Sequence, residues 1–284
     1  MSNAVSAATR ARTVYCAENE SVHENDVRIV LSLGTYGSTV SPMQDFDGIF
    51  PPPYGPKAYS ATEENTTSFG DDVEGTERSI RALTDFHAER LLAYAGIPQV
   101  WDAVDAVAFE TVPVAREVTA IRRAVTAVAA SLRAEGKHMK AWWLTAVFPQ
   151  GRCSETRVSG GAHVSAKQVA DLMVRAGVNA EGRALVVPSG IGFNCVAVEW
   201  FQGLLGEFGE ACKGLIGQGR KWPWLVVKPN GGSRDQVDDW ADSVMRCVDE
   251  ACRQGWGGLI VGGCCKTGPV DILKLQSRFK DRGY

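Results

Sequence analysis

Six short apolar runs, each followed by a helix-length stretch with an apolar stripe, constrain the fold of this chain more than any other feature. Val27–Leu33, Asp105–Phe109, Ala141–Phe148, Gly190–Asn194, Trp224–Val227 and Gly258–Val261 read as strands, rich in β-branched, leucine and aromatic residues. Between and after them lie Glu77–Ala95, Val114–Leu132, Ser165–Ala176, Val196–Phe208, Gln236–Arg253 and Val270–Phe279, which read as helices. Val114, Val118, Ile121, Val125, Val128 and Leu132 recur at steps of 4, 3, 4, 3 and 4, so they share one helical face. Strand-then-helix repetition joins parallel strands by helical crossovers, which defines an α/β fold. A closed (β/α)8 TIM-type barrel has eight such units, and about six are recognisable here, so an incomplete barrel is expected.

The division that follows is a leader over residues 1–26, with room for one helix at Ala4–Cys16, and a barrel domain over residues 27–284. A long loop over residues 38–72, broken by Pro51-Pro52-Pro53 and rich in Gly, Ser and Asp, interrupts that domain and reads as a lid.

Thirty Lys+Arg against 33 Asp+Glu leave a net charge of −3, which argues against a nucleic-acid partner. No apolar run reaches the roughly 18 residues that span a bilayer, and the first residues lack the apolar segment of an export signal, so a cytoplasmic protein without membrane association is expected. Eight cysteines in a chain of this length then read as thiols or metal ligands rather than as a disulfide framework.

Gly262-Gly263-Cys264-Cys265 sets two adjacent thiols just beyond a predicted strand, after two glycines that let the backbone turn. Cys195, in Gly192-Phe193-Asn194-Cys195, also follows a predicted strand, and in parallel α/β folds the C-terminal strand ends share one face. Three thiolates there suit Zn²⁺ with a fourth position open, although no CxxC pair is present and buried apolar cysteines are the alternative. Glu110 ends the run Val107-Ala108-Phe109 where a barrel places active-site groups; a helix-start acid ahead of Pro113 is the alternative. The four histidines, His23, His87, His138 and His163, form no metal array and read mostly as surface residues.

Gly192-Phe193-Asn194-Cys195 and Gly262-Gly263-Cys264-Cys265-Lys266-Thr267 resemble the two zinc motifs of the homocysteine S-methyltransferase family. Three more segments are similar to that family in the same order. Ser32–Gly37 matches its SxGPYG-like strand end, with Thr35 for the proline. Phe109–Pro113 matches FETIP, and Lys228–Gly232 matches YPNSG, with Gly231 for the serine.

The resemblance implies a (β/α)8 barrel in which Cys195, Cys264 and Cys265 hold Zn²⁺ and Glu110 binds the ammonium group of homocysteine. Asn194 is implied to lie at the substrate, orienting a neighbouring group. The implied reaction moves a methyl group from a sulfonium donor, S-methylmethionine or S-adenosylmethionine, to homocysteine, giving methionine. The family's first strand, with its Asp-Gly-Gly motif, and its second strand have no counterpart in this chain. That departure supports an alternative expectation, a noncatalytic zinc-binding relative, regulatory or completed by a second copy or another chain.

Overall fold

The computed structural model describes residues 2–179, 181–216, 219–231 and 239–283. In chain order the elements are α1 (Ser2–Glu18), β1 (Val30–Gly34), α2 (Val73–Ala95), α3 (Pro98–Trp101), β2 (Ala106–Val112), α4 (Ala115–Ala134), β3 (Ala141–Ala146), α5 (Ala166–Val174), β4 (Gly190–Val196), α6 (Phe201–Ile216), β5 (Trp224–Pro229), α7 (Trp240–Gln254), β6 (Leu259–Val261) and α8 (Pro269–Asp281). The six strands form one sheet in the order β1-β2-β3-β4-β5-β6, every pair parallel. This is the α/β fold of successive βα units expected from the sequence, consistent with an incomplete TIM barrel. Among the described residues β1 and β6 each pair on one side only, so the sheet has two open edges.

Element boundaries differ from the sequence expectation where side chains intervene. Pairing in β1 begins at Val30, not Val27, because the Asp105 carboxylate takes the Ile29 N–H at 2.7 Å just before the strand. The helix expected from Val196 begins at Phe201, since Val196 still pairs with Pro229 in β5 and a 3₁₀ turn, Val198–Trp200, follows. Of the helix expected over Gln236–Arg253, residues 236–238 lie outside the described residues. The described part starts at Trp240, with the Asp239 side chain accepting from the Ala241 N–H.

Alternation along the strands sends Leu31, Leu33, Val107, Phe109, Trp142, Leu144, Ile191, Phe193, Leu225 and Val227 into the main core beneath the helices. The α4 stripe meets them there, with Val118, Ile121, Val125, Val128 and Leu132 all buried. Burying each such side chain contributes about 1.5–3 kcal/mol. The opposite residues, among them Ser32, Ala108, Glu110, Trp143, Thr145, Asn194, Val226 and Lys228, belong to the inner face of the curved sheet.

Helix α1 fills the leader, where Arg12 lies 3.5 Å from Asp105, so it docks at the N-terminal ends of the strands. It is therefore remote from the ends that carry the candidate site. No described helix is long and apolar enough to cross a membrane. The loop over residues 38–72 is not the free lid its composition suggests. Phe50 is fully buried, Tyr36 stacks on Tyr54 with ring centroids 3.9 Å apart, and the buried Arg116 guanidinium donates to the Thr67 carbonyl at 3.0 Å and to Glu155 at 2.6 Å. The loop thus encloses a second small core and is clamped to the segment after β3.

The turn leaving β1 is fixed by a buried carboxylate. Glu117 of α4 accepts from the Thr35 hydroxyl at 2.6 Å, the Tyr36 N–H at 2.7 Å and His87 Nε2 of α2 at 2.9 Å. His87 is fully buried beside Glu117 and is the exception to the surface reading of the histidines, since His23, His138 and His163 are exposed. Burial, the largest influence, pushes the Glu117 carboxyl up, but His87, Thr35 and the Tyr36 N–H together outweigh it and the net shift is downward. A depressed folded value means that this stabilisation is complete above the ordinary carboxylate value of about 4.3 and is lost as pH falls through the lower folded value. Glu117→Ala is expected to destabilise the fold by about 3–5 kcal/mol in urea unfolding at pH 7, because it strands the buried polar groups around it. The difference between the two proteins should shrink as the pH is lowered below about 4.

Candidate metal centre

Cys195 sits where β4 changes register against β5, between Asn194, which pairs with Lys228, and Val196, which pairs with Pro229. Its φ of +54° breaks the alternation that would otherwise turn it to the helices. Cys264 and Cys265 lie just beyond β6. Their loop is tied to the end of β5 by Cys264 N–H to the Pro229 carbonyl at 2.8 Å and Gly231 N–H to the Cys265 carbonyl at 2.7 Å. A Cβ at Gly231 would come within 2.5 Å of the Lys266 carbonyl oxygen, so the serine of the YPNSG pattern would not fit this approach unchanged. The Thr267 hydroxyl closes the turn on the Cys264 carbonyl at 2.6 Å.

The three sulfurs therefore meet, all within 4.8 Å of one another. Cys195 and Cys265 Sγ are 4.0 Å apart, and Cys195 and Cys264 are joined as a disulfide across a Cα separation of 5.4 Å, which leaves Cys265 as the free and exposed thiol. The bond departs from the expectation of thiols or metal ligands; the turn at Cys195 and the loop after β6 bring these two sulfurs into contact. Elsewhere, Cys153 and Cys212 are buried, and burial pushes each thiol up to about 12; Cys247 is pushed up to about 11. Such groups stay protonated near neutrality and pack as apolar side chains.

Glu110 stands at the end of β2, at the same end of the sheet. Its Oε1 accepts from Lys228 Nζ of β5 and from Trp143 Nε1 at 3.2 Å, and its Oε2 accepts from the Ser32 hydroxyl at 3.1 Å. Asn194 is buried and makes three side-chain hydrogen bonds. Its Oδ1 accepts from the Thr111 N–H at 2.9 Å and the Thr145 hydroxyl at 2.7 Å, while its Nδ2 donates to the Thr111 hydroxyl at 2.8 Å. The amide therefore holds Thr111, whose φ is +62°, and through the backbone it fixes the adjacent Glu110. Glu110, Cys195, Cys264 and Cys265 are thus brought to one end of the sheet, with Asn194 beneath them as a brace. Lys228, Trp143 and Ser32 went unassigned in the sequence reading. A lysine closing the apolar run Trp224-Leu225-Val226-Val227 was the available signal for the first.

A parallel sheet of βα units with a sulfur cluster at its C-terminal strand ends defines the class to which comparison with known proteins then gives a family. The model of the family described as homocysteine S-methyltransferase matches residues 1–279, and the chain belongs to that family. Homocysteine S-methyltransferase 1 of Zea mays is 25% identical over 269 residues, covering 91% of this chain and 63% of its own length. Homocysteine S-methyltransferase 2 of Zea mays is 23% identical over 97% of this chain and 66% of its own, and homocysteine S-methyltransferase 2 of Arabidopsis thaliana is 24% identical over 99% and 71%. The chain thus spans under two thirds of the length of the two maize relatives.

Asn194→Ala removes the acceptor for the half-buried Thr111 N–H and the buried Thr145 hydroxyl. Its expected cost is about 1–3 kcal/mol in chemical unfolding. The fluorescence of Trp143, which donates to Glu110, should change with it; an unaltered emission spectrum would show that Asn194 does not set the position of Glu110.

Proposed function

We propose that this chain transfers a methyl group from a sulfonium donor, S-methylmethionine or S-adenosylmethionine, to homocysteine, with one Zn²⁺ held by Cys195, Cys264 and Cys265. The observation that carries this reading is the convergence of three sulfurs from two strand ends at one point. Tetrahedral zinc with Zn–S bonds of 2.3 Å separates its sulfur ligands by roughly 3.8 Å, and the 4.0 Å between Cys195 and Cys265 fits that edge. Cys195 and Cys264 serve as ligands only after their disulfide is reduced, so metal loading depends on a reductant. When bound, zinc supplies a Lewis acid that keeps a coordinated thiol deprotonated near neutral pH and leaves one position for it.

The chain's own residues do the rest by binding and orientation. Glu110 offers a carboxylate to the substrate ammonium, held in place by Ser32 and Trp143 and through Thr111 by Asn194. The homocysteine sulfur, once deprotonated, attacks the methyl carbon in line. The new S–C bond forms as the sulfonium C–S bond breaks, its electron pair returns to the donor sulfur as a neutral thioether, and the thiol proton goes to solvent. Methionine is the product.

The open edges at β1 and β6 favour a second reading, a noncatalytic zinc-binding relative completed by a second copy or another chain. Methionine formation from homocysteine with each donor, measured on reduced protein with zinc assayed in the same sample, separates the two. Turnover with about one zinc per chain supports the first, and zinc without turnover supports the second. Cys265→Ser should lower zinc content sharply. Near-stoichiometric zinc in a variant with Cys195, Cys264 and Cys265 all changed to Ser would sink the site itself.

A further inference from the structure

We infer that Lys228 is the receptor for the carboxylate of an α-amino acid, acting beside Glu110 as the receptor for its ammonium group. The inference deepens the proposed function, on whose site it rests, by naming what the mouth of the sheet recognises. Lys228 stands next to the end of β5, opposite Asn194 in register and therefore one strand over from Cys195. Its Cγ is the atom nearest to where a Gly262 Cβ would lie, at 3.7 Å, so its stem runs between the two segments that bear the thiols. From β5 it crosses the inner face past β4 and β3 to reach Glu110 on β2. The YPNSG pattern that residues 228–232 resemble has tyrosine where this chain has Lys228, so the charge departs from that pattern.

Glu110 and Lys228 form an ion pair that water still reaches, their side chains being 15% and 21% exposed. An ammonium group has three N–H donors, and Lys228 directs one at Glu110 Oε1. Among the described residues Glu110 Oε2 has only the neutral Ser32 hydroxyl as a partner. Each member of the pair thus keeps hydrogen-bonding capacity for an opposite charge. An α-amino acid carries its ammonium and carboxylate on a single carbon, so it can close an alternating four-charge ring on the pair, ammonium to Glu110 and carboxylate to Lys228. A ligand with only one of those charges leaves one member without its second partner.

L-methionine and 3-(methylthio)propylamine, which is methionine without the carboxylate, serve as probes because neither has a thiol that needs metal. Their affinities for the full chain, for Lys228→Met and for Lys228→Arg are to be measured by ligand-observed NMR. Thermal unfolding and zinc content are recorded on the same samples. Lys228→Met is expected to weaken methionine by about tenfold or more, the worth of one charged hydrogen bond, while the amine, whose contact with Glu110 does not need the lysine, is not weakened. Lys228→Arg, which keeps the charge, should retain methionine binding even if the Met variant folds poorly. The inference is overturned if the Met variant binds the amine more tightly without losing methionine, which would make Lys228 an occupant of the ammonium position. Failure of the unmodified chain to bind methionine overturns it too. Loss of the zinc reading would appear separately, as reduced protein that takes up no zinc while the methionine series still decides the role of Lys228.

Discussion

Parallel pairing of the six strands directs every strand's C-terminal end to one side of the sheet, and each group of the candidate site depends on that constraint. Glu110, Cys195, Lys228 and the Cys264-Cys265 loop come from segments up to 155 residues apart in the chain, yet each lies at or just past the end of its strand. Helical crossovers packed on the outer face keep those ends level. The α4 stripe and the strand residues beneath it, from Phe109 to Phe193, supply the rigid wall. Side chains at the inner face need only the right position along their strands to meet.

Strict strand alternation would not by itself aim them. Of the four non-glycine residues with positive φ among the described residues, Thr111, Cys195 and Lys266 are part of the candidate site or adjoin it, and the fourth, Gln150, lies in the turn after β3. Such conformations cost of order 1–3 kcal/mol and persist only where surrounding bonds over-determine them. Asn194 holds Thr111 with two side-chain hydrogen bonds, and the loop bearing Lys266 is tied by Gly231 and Thr267. At Cys195 the register shift between β4 and β5 accommodates the turn. The strain is thus concentrated where side chains must leave the plane of their strand.

Much of this was legible in the sequence because it depends on local pattern. Six apolar runs and the 4-3-4-3-4 spacing from Val114 to Leu132 mark elements whose period is set by backbone geometry. Cys264 and Cys265 stood out because two adjacent thiols after two glycines have few other uses. The remainder depends on pairs that sequence separates widely. Lys228 lies 118 residues from Glu110, Asn194 lies 83 from Thr111, and His87 lies 30 from Glu117. Nothing at either position announces the other. How the loop over residues 38–72 is anchored was hidden for a related reason, since its partners, Arg116 and Glu155, lie well beyond it in the chain.

The open edges of the described sheet also shape the electrostatics of the inner face. Ser32 remains exposed and Trp224 is 48% exposed, so water enters beside the sheet instead of being excluded by side-chain layers. In a closed, dry barrel the Glu110–Lys228 pair would be costly to disturb, because separating buried charges leaves each uncompensated. Here both side chains are mostly but not fully buried, so each can still take a further partner from solvent or ligand. A pair that keeps this access can share its charges with a ligand without being separated. The same openness keeps the thiol of Cys265 accessible, while Cys153 and Cys212 are sealed in the core. An open sheet and a reactive mouth are therefore compatible, provided that the groups facing water are those meant to exchange partners.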